Sequence, residues 1–194
     1  MKITYYGHSC FTIESGGYTV AIDPYNEMVQ GYPPLAIKAN KVYCSHGHGD
    51  HAFTDAVEIV PAGVLNPFVV TEIEVPHDAE GGTKRGLNMI RIFQAEGRKV
   101  IHYGDTGCRP QEEKIPFLKG ADVAMMPVGG FFTIGPAEAK ALADETAPKT
   151  VIPMHYKKGS AGLQVIADLS DFTDITKGAS YAVKPLEYKE EYEI

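Results

Sequence analysis

Residues 46 to 51 read His46-Gly47-His48-Gly49-Asp50-His51, so three imidazoles and a carboxylate fall within one hexapeptide, directly after the apolar run Val42-Tyr43-Cys44. Neutral imidazole and ionised carboxylate are ligands for Zn²⁺ and its first-row neighbours. Crowded together without an ion, the same groups compete for charge and hydration. On an extended segment side chains at i and i+2 point the same way, so His46 and His48 can clamp one ion. Asp50 and His51 lie past the strand, where a turn can present them to a second ion. A solvated His-rich loop is the plain alternative, but such a tract needs no matching groups elsewhere.

Matching groups exist. The chain holds seven His, and beyond the cluster they are His8, His77, His102 and His155. Ile73-Glu74-Val75-Pro76 leads to His77-Asp78, Val100-Ile101-His102-Tyr103 to Gly104-Asp105-Thr106, and Val151-Ile152-Pro153-Met154 to His155-Tyr156. Each candidate therefore sits where an apolar strand runs into a turn, and ligands at successive strand ends can converge on one rim of a sheet.

In order and approximate spacing, His46-x-His48-x-Asp50-His51, His77, Gly104-Asp105-Thr106 and Pro153-Met154-His155 resemble the metallo-β-lactamase-fold hydrolases. Gly7-His8-Ser9-Cys10-Phe11 with Ile22-Asp23-Pro24 looks like the branch that includes the ascorbate-6-phosphate lactonases and many small bacterial hydrolases. The resemblance implies an α+β four-layer αβ/βα sandwich in a minimal version, as one domain over residues 1–194. It implies two divalent metal ions, Zn²⁺ first, with Mn²⁺ or Fe²⁺ as alternatives. His46, His48 and His77 would hold one ion, Asp50, His51 and His155 the other, and Asp105 would bridge them. A water or hydroxide between the ions would be the nucleophile, oriented by Asp50. The family position of His8 lies near the metal centre, so His8 joins Asp50 as a catalytic candidate, with hydrogen-bonded packing as its plainer role.

Composition agrees with an ordinary globular domain: 194 residues, 44% hydrophobic and 22% charged. No apolar run approaches the roughly 20 residues of a spanning helix, and Met1 to Tyr5 enter a strand-like pattern with no signal-peptide core. The three Cys (Cys10, Cys44, Cys108) form no CxxC pair, which argues for reduced thiols and a cytoplasmic protein. The formal net charge of −7 disfavours a nucleic-acid partner. Near the cluster, two divalent ions against Asp50 and Asp105 leave a local charge of about +2, so an anionic small molecule fits the pocket. Lys84, Arg85, Arg109, Lys157 and Lys158 follow ligand-bearing segments and are either anion contacts or solvated loop residues. The sequence leaves oligomeric state open.

The elements that must position these groups are mostly strands. Residues 3–6, 10–14, 18–23, 41–45, 57–60, 68–70, 71–75, 87–93, 99–103 and 121–126 read as β, with Ser15-Gly16-Gly17 as a hairpin turn and 25–40 as a loop. Helices are expected over 136–145, with Pro136 in the first turn, and over 162–169. Residues 181–183 and an acidic tail, 187–193, close the chain, the tail as an edge strand. The helix that follows the His cluster in many relatives looks shortened or absent at 52–56. His102 should face away from Asp105 and be structural, Asp23 should brace a strand end or metal-site loop, Cys44 is a small buried residue, and Cys108 stands too far past Asp105 to match a bridging Cys.

Three functions fit. The first is hydrolysis of a small ester, lactone or phosphoester by a water activated between two metals. The others are a non-catalytic metal-binding or interaction protein on the same fold, and a di-iron redox protein, whose relatives carry a carboxylate in place of His48.

Overall fold

The computed structural model describes residues 1–194. Its strands are β1 (Lys2–Gly7), β2 (Cys10–Ser15), β3 (Tyr18–Ile22), β4 (Ile37–Ala39), β5 (Lys41–Tyr43), β6 (Val57–Ile59) and β7 (Val69–Pro76). They continue with β8 (Leu87–Ala95), β9 (Arg98–His102), β10 (Val123–Pro127), β11 (Thr150–Met154), β12 (Ala182–Val183) and β13 (Glu191–Glu193). The helices are α1 (Ile115–Leu118), α2 (Pro136–Thr146) and α3 (Leu169–Ile175), and Thr54–Ala56 forms a 3₁₀ turn.

The strands form two main sheets, ordered β13-β1-β2-β3-β5 and β12-β11-β10-β9-β8-β7, with a separate β4-β6 ribbon. Two hairpins follow from local chemistry. Gly16-Gly17 and Glu96-Gly97 both supply consecutive positive φ angles, the requirement of a two-residue turn that matches strand twist. They pair Ser15 with Tyr18 and Ala95 with Arg98. Beyond the second hairpin β9, β10, β11 and β12 run parallel.

Phe11, Ile13, Val20 and Ile22 from the first sheet and Val75, Ile90, Ile92, Val100 and Ile101 from the second belong to one buried cluster. Each such side chain contributes about 1.5–3 kcal/mol by leaving water. Every residue of β10 and β11 is buried, because central parallel strands are covered on both faces. The cover on their far side is helical: Ala139, Leu142 and Ala143 line one face of α2 at i, i+3 and i+4, and α3 adds Phe172. The other face of the first sheet carries Cys10 and Ala21, packed with Tyr25, Val29, Ile37, Ala39 and Val57. A loop and the β4-β6 ribbon therefore stand where a fuller αβ/βα sandwich has helices, which is the minimal version of the fold. No helix is long and apolar enough to cross a membrane.

Some elements differ from expectation. The helix expected over 162–169 begins only at Leu169, because Asp168 caps it by accepting from the Ser170 amide, while Gly162 holds φ +87°. Segments 68–70 and 71–75 are one strand, β4 interrupts the expected 25–40 loop, and the short α1 has no counterpart among the expected helices. Strand β5 ends at Tyr43, so His46 and His48 sit on irregular chain rather than on its extension.

Candidate metal centre

The carboxyl ends of six strands meet at one rim. His8 follows β1, Asp23 follows β3, and the Ser45–His51 turn follows β5. From the second sheet, His77 follows β7, Asp105 lies just past β9 and His155 follows β11. His8, Asp23 and His155 adopt left-handed φ angles of 53°, 49° and 52°, a conformation that costs a non-glycine residue about 1–3 kcal/mol and collects at functional sites.

The structure brings the candidate ligands together in three overlapping groups: His46, His48 and His77; His8, Asp50, His51 and His155; and His46, His51 and Asp105. Within each group the ligand atoms lie within 4.8 Å of one another. Asp105 is central, its Oδ2 3.2 Å from Nε2 of both His51 and His155, 3.5 Å from His77 Nε2 and 3.9 Å from His46 Nε2. The expectation for His8 is a place near the centre, and the structure puts it inside the second group. Its Nε2 lies 3.5 Å from Asp50 Oδ2, and its ring centroid is 4.2 Å from that of His155.

Buried polar atoms are normally hydrogen-bonded, yet here a set of them is not. His8 Nδ1 and Nε2, His46 Nε2, His51 Nε2, His155 Nδ1 and Nε2, and Asp105 Oδ1 have no partner. Left so, each costs about 1–3 kcal/mol. Nitrogen lone pairs and carboxylate oxygens converging without partners are the donor set a divalent cation takes, so the residues present fit such an ion.

Charge distribution points the same way. By protein groups alone, burial raises the Asp105 carboxyl, but His155 and His51 outweigh it and hold it well below the usual carboxylate range. Burial likewise opposes ionisation of Asp50, and His8 and His51 override it. Burial works against charge on His51, but Asp105 and Asp23 raise its pKa well above the ordinary imidazole value. Burial, reinforced by His51, pushes His46 down to about 3. Burial with His155 pushes His8 down to about 4, although Asp50 favours its charged form. Ionised Asp105 and Asp50 beside neutral His8 and His46 are protonation states that metal ligation requires, while the proton His51 holds is one that a bound ion would displace.

Supporting residues hold the ligands in place. Asp23 is fully buried and accepts from the Ser45 amide and hydroxyl, both at 2.6 Å. It also accepts from His51 Nδ1 at 2.8 Å, which turns Nε2 towards Asp105. Asn88 accepts from the Asp105 amide at 2.8 Å and donates to the Tyr103 carbonyl at 2.9 Å. In the sequence Asn88 reads only as part of the strand expected over 87–93. A polar residue on the buried face of an otherwise apolar strand is the available signal. Between these segments Gly104 is required: it holds φ +54°, and a Cβ would lie 2.2 Å from Asn88 Oδ1.

His102 stays outside the ligand groups, bonded through Nε2 to the Ser9 carbonyl at 2.9 Å. Cys10, Cys44 and Cys108 are free thiols and belong to none of the metal groups. The metal groups open onto a cavity of about 470 Å³ lined by His48, Asp50, His77, Asp105, Arg85 and Phe132, with Met28 and Leu163 on its wall. A larger cavity of about 570 Å³ lies under the Tyr25–Leu35 loop and contains none of the ligands.

Residues 2–155 match the family model for the beta-lactamase superfamily domain. A UPF0173 metal-dependent hydrolase of Bacillus pumilus is 31% identical over 195 residues, covering 80% of this chain and 86% of the relative. Another, of Pelotomaculum thermopropionicum, is 33% identical over 199 residues, covering 80% and 84%. A solved metallo-beta-lactamase superfamily structure from Thermotoga maritima superposes with a TM-score of 0.74 at 29% identity, covering 95% of this chain and 97% of that one. The chain belongs to the metallo-β-lactamase superfamily, and its fold is the metallo-β-lactamase fold.

Proposed function

We propose that this protein is a metal-dependent hydrolase that holds two divalent ions, Zn²⁺ first, with Mn²⁺ or Fe²⁺ also suited to the ligands, and cleaves a small ester, lactone or phosphoester. The observation that carries this reading is Asp105 Oδ2 ringed by four imidazole nitrogens at 3.2–3.9 Å on the floor of an open cavity. The names of the UPF0173 relatives support it. His46, His48 and His77 form one ligand set, Asp50, His51 and His155 the other, and Asp105 serves both. His8 stands against the second set, facing Asp50.

Bound there, a pair of divalent ions supplies Lewis acidity and lowers the pKa of water towards neutrality. Asp50 is the one partly exposed carboxylate of the group, at 14% against 2% for Asp105. It therefore reaches substrate and solvent, orients the attacking water, takes up its proton and returns it to the leaving oxygen. His8 is buried behind it, with Nε2 3.5 Å from Asp50 Oδ2, and favours its ionised form. Free thiols and a net charge of −7 support a cytoplasmic enzyme of one domain acting on small molecules rather than nucleic acid or membrane.

The test is a panel of ester, lactone and phosphodiester substrates with Zn²⁺- and Mn²⁺-loaded protein, comparing wild type with Asp50→Ala, His48→Ala and Asp105→Ala. The expected result is turnover by wild type that each substitution abolishes. Wild-type turnover by all three variants at matched metal content refutes the mechanism, and no turnover by any protein favours a metal-binding protein without catalysis.

A further inference from the structure

Five basic residues flank the ligand-bearing segments, and the structure separates them. Lys84 is paired with Glu80 at 2.8 Å, Arg109 with Glu145 at 2.6 Å and Glu112 at 2.9 Å, and Lys158 with Glu187. Lys157 does not line the metal cavity, whereas Arg85 does. The guanidinium of Arg85 makes no salt bridge and no hydrogen bond; it lies over the Phe132 ring, 5.1 Å from the centroid. Phe132 in turn stands 6.5 Å from the His155 ring. Arg85 is half-buried, and a guanidinium there with all five N–H groups free is an unspent anion receptor, whose planar fork suits a carboxylate or phosphate.

The loop that carries Arg85 is also fixed. The carboxylate of Asp78, next to His77, accepts from the amides of Glu80 and Gly82 through Oδ1, at 2.8 and 2.9 Å. Through Oδ2 it accepts from the amides of Lys84 and Arg85, at 2.9 and 2.8 Å. The Gly86 carbonyl then accepts from the His77 amide at 3.0 Å. One buried carboxylate thus ties the arginine's backbone to a candidate metal ligand, so the cation is held in register with the metal groups before any ligand arrives. Met28 and Leu163 make the remaining wall apolar.

We propose that Arg85, backed by Phe132, is an anion subsite that selects substrates bearing a carboxylate or phosphate a short apolar span away from the bond to be cut. This rests on the hydrolase reading above and names the substrate class of the same site.

Two measurements test it, one of them independent of turnover. In the first, wild type, Arg85→Met, Arg85→Lys and Lys84→Met are compared on 4-nitrophenyl hemisuccinate and 4-nitrophenyl butyrate, an anionic and a neutral ester of similar length. Loss of a charge-assisted contact predicts that the anionic-to-neutral ratio of kcat/KM falls about 10–100-fold in Arg85→Met. Arg85→Lys should recover part of it, and Lys84→Met, which removes equal charge from a paired position, should leave the ratio alone. An unchanged ratio in Arg85→Met, or an equal fall in Lys84→Met, overturns the proposal. In the second, succinate and acetate are titrated calorimetrically into the metal-loaded proteins. Arg85→Met should weaken succinate about tenfold more than acetate, and equal effects on the two overturn the subsite. If wild type cleaves neither ester, the hydrolase reading loses that support, while the titration still decides the subsite.

Discussion

Replacing Asp23 by Asn isolates how much of the metal affinity resides behind the ligands. Asp23 is fully buried and touches no substrate cavity. It accepts from the Ser45 amide and hydroxyl at 2.6 Å and from His51 Nδ1 at 2.8 Å. In the Asp23→Asn variant the one remaining oxygen can still serve the Ser45 amide, but the new NH₂ faces two groups that donate. The Ser45 hydroxyl can rotate so that its oxygen accepts from the new NH₂, as it already accepts from His46 Nδ1–H 3.0 Å away. His51 has no such exit: it must give up its buried hydrogen bond or switch tautomer and aim Nε2–H at the ion position. Losing one charge-assisted hydrogen bond costs about 1.5–3 kcal/mol. Removing an outer carboxylate from a His ligand typically weakens metal binding about 10–100-fold, or about 1.4–2.7 kcal/mol, so the two estimates agree. The assay is competition for Zn²⁺ against a chromophoric chelator, with circular dichroism confirming a folded variant. Affinity within about twofold of wild type would show that Asp23 only braces the β3 end, and the account of His51 orientation would be wrong.

Further predictions concern other parts of the site and fold. Gly104→Ala should destabilise the protein by at least about 1–3 kcal/mol in urea unfolding and weaken Zn²⁺ binding, since the new methyl meets Asn88 and Ser45; a change below about 0.5 kcal/mol contradicts the close approach. Asp122 accepts from the Lys99 amide at 2.8 Å and from Lys149 Nζ at 2.7 Å. Burial raises its carboxyl, but these partners prevail and its pKa is lowered. A depressed native pKa gives stability that is present above the unfolded value, about 3.9 for Asp, and is lost as pH falls through the native value. Asp122→Asn should therefore be less stable than wild type at pH 7, with the gap closing in acid unfolding series below about pH 4; a gap independent of pH contradicts the assignment.

The metal groups were legible because each lies where an apolar run meets a turn, and a strand end must deliver its next side chain to the rim. The hexapeptide, His77, Asp105 and His155 follow that rule, and so does His8 directly after β1. The resemblance carried by Gly7-His8-Ser9 implies a place near the centre, but not that His8 lies among ligands from both sheets. What stayed hidden came from contacts between distant segments. Asn88 stands out locally only as a polar residue on an apolar strand face, and neither its bond to the Asp105 amide nor the close approach of Ser45 and Asn88 that forces Gly104 is reported by any local pattern. The helix starts later than its sequence suggests for a local reason: 162–168 has apolar residues at helical spacing, but Asp168 caps a later turn. Sorting the basic residues required their carboxylate partners, which lie up to 36 positions away, as for Arg109 and Glu145.

The proposed pair of ions is held by imidazoles and acids from four strand ends, those of β5, β7, β9 and β11. Equilibrium dialysis against Zn²⁺ or Mn²⁺ followed by elemental analysis tests it most directly. The account predicts about two ions per chain for wild type, with His48→Ala and His155→Ala each losing one and Asp105→Ala weakening both. A wild-type protein that retains no stoichiometric metal, or variants that keep the wild-type content, would contradict it.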